Sequence, residues 1–293
     1  MVKTTKAVMT IHGFMTVKED FGRLYDHFDC YDEVLAVEIP GHNGTAKMDE
    51  FTVEDTLDTV LSCYDKLRSK HDQVDVVGFS MGGALTTWLC GQRDVHRAVV
   101  LAPANKYLNF FMPLETVKFY NEHSLKPLLD KKSEQTFSEK EFEIKKVFSS
   151  YFENVVASIK LLAGNVHEDK FLTPRVYNVF RKIIKQCNAM VEEHSPIQTP
   201  IRVLWGKLDE LVPHKSIQYV LDHFANSEFK IYDDIGHAML YTNRDDVLIA
   251  DTMEFLTEGA FCQTVSHRDL PVINDEVEKN KKTNRRRTLS RFV

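Results

Sequence analysis

The sequence predicts an α/β protein, with a mostly parallel sheet flanked by helices, on three observations. Short apolar runs alternate along the chain with longer segments whose apolar residues recur at helical spacing. These runs are continuously apolar, which is typical of parallel strands that are covered on both faces. The third observation is the pentapeptide GFSMG at residues 78–82, which ends one such run and opens one such helical segment. A Gly-x-Ser-x-Gly sequence needs this strand-to-helix context to present a nucleophile.

The predicted elements follow one another in a regular order. Apolar runs predict strands at residues 7–11, 34–39, 74–79, 97–103, 201–205 and 229–232. Helical spacing predicts helices at residues 21–28, 53–67, 81–89, 174–193, 216–224 and 245–256. Thr52 and Asp55 are typical of a capping box at the start of the second helix.

The alternation stops between residues 105 and 172, and this break divides the predicted fold. The segment holds aromatic-rich and charged stretches without a convincing buried strand, which predicts a helical cap inserted over the sheet. Residues 1–104 and 173–260 are then expected to form the core of the fold. Residues 261–293 are polar and end in a basic run, so we expect a flexible, solvated tail. The alternative for the tail is weak electrostatic contact with an anionic membrane.

Composition restricts the function classes. The 293 residues are 43% hydrophobic and 27% charged, which is ordinary for a globular protein with a large core. A net charge of −6 argues against a nucleic-acid-binding protein. No apolar run approaches the roughly 18 residues of a membrane helix, and the N-terminal residues lack the features of a secretory signal. The five scattered cysteines include no C-x-x-C pair, which favours a reducing cytoplasm.

Ser80 is the candidate nucleophile because it lies at the centre of the Gly-x-Ser-x-Gly sequence. A sharp strand-to-helix turn lifts its hydroxyl clear of the backbone, and small flanking residues let the strand and the helix approach each other. The turn also places the Met81 N–H at a helix N-terminus, where it is expected to stabilise an oxyanion. A serine hydroxyl still needs a base, and the base needs a carboxylate that orients it.

The acid and the base are expected after the later strands. Asp209 is the preferred acid because it lies in the turn beyond the strand at 201–205, and Glu210 is the alternative. His237 is the preferred base because its glycine-containing loop follows the last strand, at the edge of the sheet where Ser80 also lies. Three other histidines are assigned to capping, packing or tail positions: His214, His223 and His267.

The loop after the first strand is expected to complete the site. It contains His12, Gly13 and Phe14, and we assign the second oxyanion donor to the backbone N–H of Phe14. His12 is expected to shape this loop by hydrogen bonding rather than to act as the base. No cluster of side chains has the spacing of a zinc site, so neither a metal nor another cofactor is expected.

Several motifs in this order resemble those of the α/β-hydrolase superfamily. They are His12-Gly13-Phe14, Pro40-Gly41-His42, GFSMGG at 78–83, the Asp209 turn and Gly236-His237. Within the superfamily the chain resembles small bacterial carboxylesterases and monoacylglycerol lipases with a helical cap. The resemblance implies a triad of Ser80, His237 and Asp209 that hydrolyses small-molecule esters, with short- to medium-chain acyl groups or as monoacylglycerols, through an acyl-enzyme.

Other functions occur on the same fold, and they remain alternatives at this point. They include lysophospholipases and other lipases, acyltransferases, C–C hydrolases and haloperoxidase-like enzymes. A non-catalytic binding protein is the alternative from a different class. A complete triad argues against it, because binding alone has no use for a serine held in a strained turn.

Overall fold

The computed structural model describes residues 4–42, 48–106, 174–209, 211–242 and 244–257. Within these ranges the strands are β1 (Lys6–Ile11), β2 (Glu33–Val37), β3 (Gln73–Phe79), β4 (Arg97–Leu101), β5 (Ile201–Gly206) and β6 (Ser227–Tyr232). They form one sheet in the order β2-β1-β3-β4-β5-β6, and every neighbouring pair is parallel. The predicted parallel sheet is confirmed, and the ends of its strands differ from the predicted ends by two residues or fewer.

Helices occupy the connections between these strands. In the described ranges the α-helices are α1 (Val53–Arg68), α2 (Met81–Gln92), α3 (Pro174–His194), α4 (Lys215–His223) and α5 (Asp245–Thr257), and the 3₁₀ segments are Lys18–His27, Met48–Glu50 and Met239–Tyr241. Helix α2 packs against β3, β4 and α3, whereas α5 packs against β4 and β5. The apolar faces predicted from helical spacing are thus the faces that cover the sheet.

One predicted helix is different in the structure. Residues 21–28 were expected to be α-helical, but the chain forms 3₁₀ turns over Lys18–His27. The reason is Gly22, whose φ of 49° and ψ of −125° are not helical and interrupt the segment. A glycine adopts such angles without the steric cost that another residue would carry. Apolar side chains still point inward on both sides of the break, with Phe21 and Leu24 buried.

Helix α1 shows how the local sequence determines an element. The Thr52 side chain accepts a hydrogen bond from the Asp55 backbone N–H at 3.1 Å, which satisfies one of the amides that the first helical turn leaves unpaired. Acidic residues occupy the first turn and basic residues the last, so both ends complement the helix dipole. The buried face includes Val60, Tyr64 and Leu67.

The carboxyl ends of the parallel strands meet at one edge of the sheet. The loops that leave β1, β3, β5 and β6 at this edge contain residues 12–17, 80, 207–212 and 233–238, respectively. All of the residues that the sequence analysis assigned to the site lie in these loops or directly after them. The predicted division into core, cap and tail stays a prediction, because residues 107–173 and 258–293 lie outside the described residues.

None of the helices in the described ranges is both long and apolar enough to cross a membrane.

Candidate active site

Ser80 lies in a strained turn between β3 and α2. Its φ of 54° and ψ of −112° fall in a region that residues other than glycine rarely adopt. The turn is held by its backbone, since the Ser80 N–H donates to the Leu101 carbonyl of β4 at 2.9 Å. The Ser80 carbonyl in turn accepts hydrogen bonds from the N–H groups of Ala84 and Ala104, at 3.2 and 2.9 Å. Neighbouring strand and helix thus offset the cost of the strained conformation.

Two glycines of the pentapeptide are required by close packing. A Cβ atom on Gly78 would lie 2.2 Å from the Thr86 hydroxyl and 2.3 Å from the carbonyl oxygen of Gly82. A Cβ atom on Gly82 would lie 1.9 Å from the carbonyl oxygen of Ile11, the last residue of β1. The strand, the helix and the end of β1 therefore converge on Ser80 at distances that leave no room for a side chain.

A continuous chain of hydrogen bonds joins Ser80 to His237 and Asp209. The Ser80 Oγ atom lies 3.0 Å from His237 Nε2, and His237 Nδ1 lies 2.9 Å from Asp209 Oδ2. All three residues are buried, with no more than 6% of any of them exposed. With Nδ1 donating to the carboxylate, Nε2 is left with a lone pair that faces the serine hydroxyl.

Asp209 is fixed by its own turn. Its Oδ1 atom accepts hydrogen bonds from the backbone N–H groups of Leu211 and Val212, at 2.9 and 2.8 Å, which leaves Oδ2 for the histidine. The loop that carries His237 packs tightly on the same turn, because the Leu208 N–H donates to the Ile235 carbonyl at 3.0 Å. The alternative acid Glu210 lies outside the described residues.

The two other candidate histidines in the described ranges occupy helix ends. His214 precedes the first residue of α4, without a side-chain capping bond at that helix end. His223 is the last residue of α4, and its ring lies 3.1 Å from the Ser195 hydroxyl and contacts the ring of Tyr219. The third, His267, lies outside the described residues.

The loop after β1 passes directly beside the serine. A Cβ atom on Gly13 would lie 3.2 Å from the Cβ atom of Ser80, so the backbone of the loop contacts the nucleophile turn. Phe14 follows at once, and the loop then turns sharply through Met15, whose φ is 57°. Met81, which was assigned the other oxyanion donor, begins α2 on the other side of Ser80. The two predicted donors thus belong to segments that both adjoin the serine.

The side chain of Phe14 belongs to an aromatic cluster outside the loop. Its ring centroid lies 4.9 Å from that of Phe180 in α3, 5.6 Å from Phe51 and 5.8 Å from His42. The ring is therefore packed away from water, and the loop is held against α3 by apolar contact. Another aromatic contact supports the base, since the rings of Phe79 and His237 lie 5.3 Å apart.

His12 is buried and stays neutral. Its Nδ1 atom lies 2.9 Å from the Gly13 carbonyl oxygen, and its Nε2 atom accepts the Ile39 N–H at 3.3 Å. Burial, followed by the nearby His42 ring, lowers the pKa of His12 from 6.5 to about 3. Both nitrogens are engaged with the backbone, which agrees with the expectation that His12 shapes the loop.

Thr16 is a residue of this loop that the sequence analysis did not single out. Its hydroxyl donates to the Gly13 carbonyl oxygen at 2.9 Å, and the side chain is buried. The only sequence signal for this role is that a threonine, which has a hydroxyl donor, follows His12 by four residues in the same loop. No group of three or more metal-ligating side chains is present among the residues that the structure describes.

A buried Ser–His–Asp chain at the carboxyl edge of a parallel sheet is the arrangement of an α/β hydrolase. Comparison with known families agrees, because the model of the alpha/beta hydrolase family matches residues 8–250. The match covers most of the chain, and the protein belongs to this family.

Known relatives and solved structures are similar over most of the chain. The monoacylglycerol lipase ABHD6 of Bos taurus is 18% identical in an alignment of 247 positions, and the match covers 80% of this chain and 70% of that protein. The Paleococcus ferrophilus monoacylglycerol lipase superposes with a TM-score of 0.57 and 15% identity, covering 86% of this chain and 95% of that one. A lipase-esterase related protein from Clostridium acetobutylicum ATCC 824 gives a TM-score of 0.57 and 18% identity, with the same two coverages. At these identities the structural matches indicate a shared fold.

Proposed function

We propose that the protein is a serine hydrolase that cleaves carboxylic esters. The observation that carries the proposal is the hydrogen-bonded chain from Ser80 Oγ through His237 to Asp209, with distances of 3.0 and 2.9 Å. These distances are within the range over which a nucleophile, a base and an orienting carboxylate act together. A buried site strengthens each of these interactions, because less water competes for the same atoms.

The proposed reaction proceeds through an acyl-enzyme. His237 Nε2 takes the hydroxyl proton as Ser80 Oγ bonds to the ester carbonyl carbon, and the carbonyl oxygen becomes an oxyanion. His237 then gives the proton to the leaving alcohol as the ester C–O bond breaks. A water molecule then gives a proton to His237 as its oxygen bonds to the acyl carbon. The bond between this carbon and Ser80 Oγ breaks, His237 returns the proton to Oγ, and the carboxylic acid leaves. Asp209 keeps the proton on Nδ1 throughout and stabilises the imidazolium.

The oxyanion is proposed to bind between the N–H groups of Phe14 and Met81. Gly13 contacts the Ser80 turn, and Met81 opens the helix that follows Ser80, so both N–H groups belong to backbone that adjoins the nucleophile. An amide at the first turn of a helix also carries the partial positive charge of the helix dipole. Each such donor contributes about 3–4 kcal/mol to lowering the barrier in enzymes of this kind.

The proposed substrates are esters with short- to medium-chain acyl groups, including monoacylglycerols. The support comes from relatives: both the Bos taurus protein and the Paleococcus ferrophilus protein are named monoacylglycerol lipases. Buried aromatic side chains also lie behind the loop beside Ser80, since the ring of Phe14 packs against that of Phe180.

A probe of serine reactivity and an ester series test this proposal. The purified chain is incubated with a fluorophosphonate probe, and the modified peptide is located by mass spectrometry. We expect one label on Ser80 in the wild type and none in Ser80→Ala. Hydrolysis of p-nitrophenyl esters from acetate to palmitate and release of glycerol from monoacylglycerols then define the acyl preference.

The matched control is Ser69→Ala, which changes an exposed hydroxyl at the end of α1. It should leave labelling and hydrolysis unchanged. Labelling of another residue, or Ser80→Ala that turns over an activated ester like the wild type, would show that the proposed mechanism is wrong. If the wild type is labelled on Ser80 but hydrolyses neither class of ester, Ser80 is still the nucleophile and the proposed substrates are wrong.

A further inference from the structure

The peptide group between Gly13 and Phe14 is held by two hydrogen bonds to its oxygen. The Gly13 carbonyl oxygen lies 2.9 Å from His12 Nδ1 and 2.9 Å from the Thr16 hydroxyl. His12 and Thr16 are 1% and 2% exposed, so neither bond competes with bulk water. A carbonyl oxygen has two lone pairs, and both are used here.

The proton positions follow from the partners. Ile39 N–H donates to His12 Nε2, so the neutral ring carries its proton on Nδ1 and directs it at the Gly13 oxygen. Thr16 Oγ1 lies 3.3 Å from the same Nδ1, which already has its proton engaged, so the threonine hydrogen points to the Gly13 oxygen as well. Two donors thus reach one acceptor from neighbouring directions.

Hydrogen bonds that fix the Gly13 carbonyl oxygen also fix the orientation of the Phe14 N–H in the same peptide group. The C=O of Gly13 and the N–H of Phe14 belong to one planar unit, and in a trans peptide they point in opposite directions. Fixing the C=O therefore fixes the direction of the Phe14 N–H. Donors at the oxygen also polarise the peptide group, which makes its N–H a stronger donor.

The plane needs such restraint because the local backbone is unusual. A Cβ atom on Gly13 would lie only 3.2 Å from the Cβ atom of Ser80, and Met15 adopts a φ of 57°. Around a glycine the backbone has few steric limits of its own, so a peptide group can rotate unless something holds it. The hydrogen bonds from His12 and Thr16 to the Gly13 oxygen supply that restraint.

We propose that Thr16 is a positioning residue of the oxyanion hole, whose hydroxyl orients and polarises the Phe14 N–H through the Gly13 carbonyl. This inference rests on the proposed function, because it requires Phe14 N–H to stabilise an oxyanion formed at Ser80. Thr16 touches neither the nucleophile nor the substrate in this scheme. Its effect reaches the transition state through a single peptide group.

The test compares substitutions that keep or remove the hydroxyl. Thr16→Val has nearly the same shape as threonine and lacks the donor, whereas Thr16→Ser retains it. We expect Thr16→Val to lower kcat on a p-nitrophenyl ester about tenfold with KM changed by less than about twofold, since a whole oxyanion donor is worth about 10²–10³ in kcat. Thr16→Ser should recover at least half of the wild-type kcat.

A transition-state analogue gives a second and independent readout. A trifluoromethyl ketone adds to a serine nucleophile and forms a tetrahedral oxyanion, so its Ki should rise in Thr16→Val by about the same factor as kcat/KM falls. A purely structural effect would change stability and the amount of active protein, which titration with the fluorophosphonate probe corrects for. The control Thr252→Val makes the same substitution at another buried threonine, in α5, and should leave kcat, KM and Ki unchanged.

Each outcome decides between the inference and its alternatives. Wild-type kcat and Ki in Thr16→Val would overturn the inference and leave the proposed function intact. An equal loss in Thr16→Val and Thr16→Ser would also overturn it, because the hydroxyl would then not be the group that matters. If Thr16→Val does not fold, Thr16→Cys takes its place, since a thiol of similar size is a weak donor and should give the same direction of change. If the wild type reacts neither with the probe nor with the esters, the proposed function itself is wrong.

Discussion

Three side chains far apart in the chain form the hydrogen-bonded path at the site. His237 lies 157 positions after Ser80 and 28 after Asp209, yet its two ring nitrogens contact both. The carboxylate is the residue that determines which nitrogen carries the proton. Its Oδ1 atom is used by two backbone N–H groups, so Oδ2 is the atom that accepts from the imidazole.

Asp209→Asn should therefore disable the proposed base without changing the shape of the site. If the amide nitrogen faces His237, Nδ1 must become the acceptor, and the proton moves to Nε2, where it blocks proton transfer from Ser80. We expect kcat on an activated ester to fall by about 10⁴-fold, as in other serine triads. The control is Asp233→Asn, at an exposed carboxylate that pairs with Lys207. Retention of wild-type kcat in Asp209→Asn would instead favour Glu210 as the acid.

His12 gives a prediction on the pH dependence of stability. In the folded protein the pKa of His12 is lowered to about 3, whereas in the unfolded chain the pKa of this histidine is close to the ordinary 6.5. Between these values the unfolded state binds one more proton at this residue, so the free energy of unfolding decreases as the pH falls from about 6.5 toward 3. Over this window His12 alone contributes a slope of about 1.4 kcal/mol per pH unit.

Urea unfolding of the wild type and of His12→Asn at pH 4.5, 5.5 and 6.5 measures this contribution. Carboxylates titrate in both proteins, so the difference between the two slopes isolates the histidine. The wild type should lose stability more steeply with falling pH than the variant. Parallel slopes would mean that His12 is not held neutral in the folded state.

At the scale of elements, sequence patterns predicted most of the sheet and the residues at its edge. Ser80, Asp209 and His237 each follow a strand that the sequence pattern predicted, and the carboxyl ends of parallel strands meet at one edge of the sheet. The 3₁₀ segment at Lys18–His27 was not predicted, because its apolar spacing is that of a helix and the interruption comes from the backbone angles of one residue, Gly22. Thr16 was not predicted either, since its bond to the Gly13 oxygen depends on the path of the loop and not on any periodicity.

Two of the three glycines in helix α2, Gly82 and Gly91, have opposite requirements, which gives a matched pair of substitutions. A Cβ atom on Gly82 would lie 1.9 Å from the backbone oxygen of Ile11, whereas on Gly91 its nearest neighbour would be Ile197 Cδ1 at 3.6 Å. Gly82→Ala should destabilise the fold by about 3 kcal/mol, because a backbone atom must move. Gly91→Ala should stabilise the helix by about 0.5–1 kcal/mol.

Thermal and urea unfolding measure both effects, and ester hydrolysis provides a second comparison. Gly82→Ala should also lower kcat, since Ile11 immediately precedes His12 and the loop beside Ser80. Gly91→Ala should hydrolyse esters like the wild type. Equal stability of the two variants would show that the close approach of β1 to α2 is not what requires a glycine at position 82.

At the scale of the whole molecule, an ionic network centred on a buried arginine joins the strands β5 and β6 to helix α5. Arg202 of β5 forms ion pairs with Glu228 of β6 and with Glu254 of α5, and its guanidinium stacks over the Phe255 ring at 4.9 Å. The arginine side chain is only 8% exposed. It lies at the start of β5, whereas Asp209 follows the end of that strand, so the network stabilises the fold at the edge opposite the site.

Arg202→Leu should consequently lower the free energy of unfolding by about 3 kcal/mol and leave kcat unchanged at temperatures well below the new Tm. The loss arises because Glu228, which is mostly buried, is left without its partner. The control Arg23→Leu removes an exposed arginine that pairs with Asp245 and Asp246, and it should change Tm little. A fall in kcat that accompanies the fall in stability would indicate that the two edges of the sheet are coupled.

The pairing of β4 with β5 has a consequence for how such a protein can change. Leu101 and Leu204 are partners in adjacent strands, yet roughly a hundred residues of chain separate them. The cost of closing a long connection grows only with the logarithm of its length, so a doubling adds about 0.6 kcal/mol. The pairing of β4 with β5 therefore tolerates changes in the length of this connection, provided that they leave helix α3 and its contacts with α2 in place.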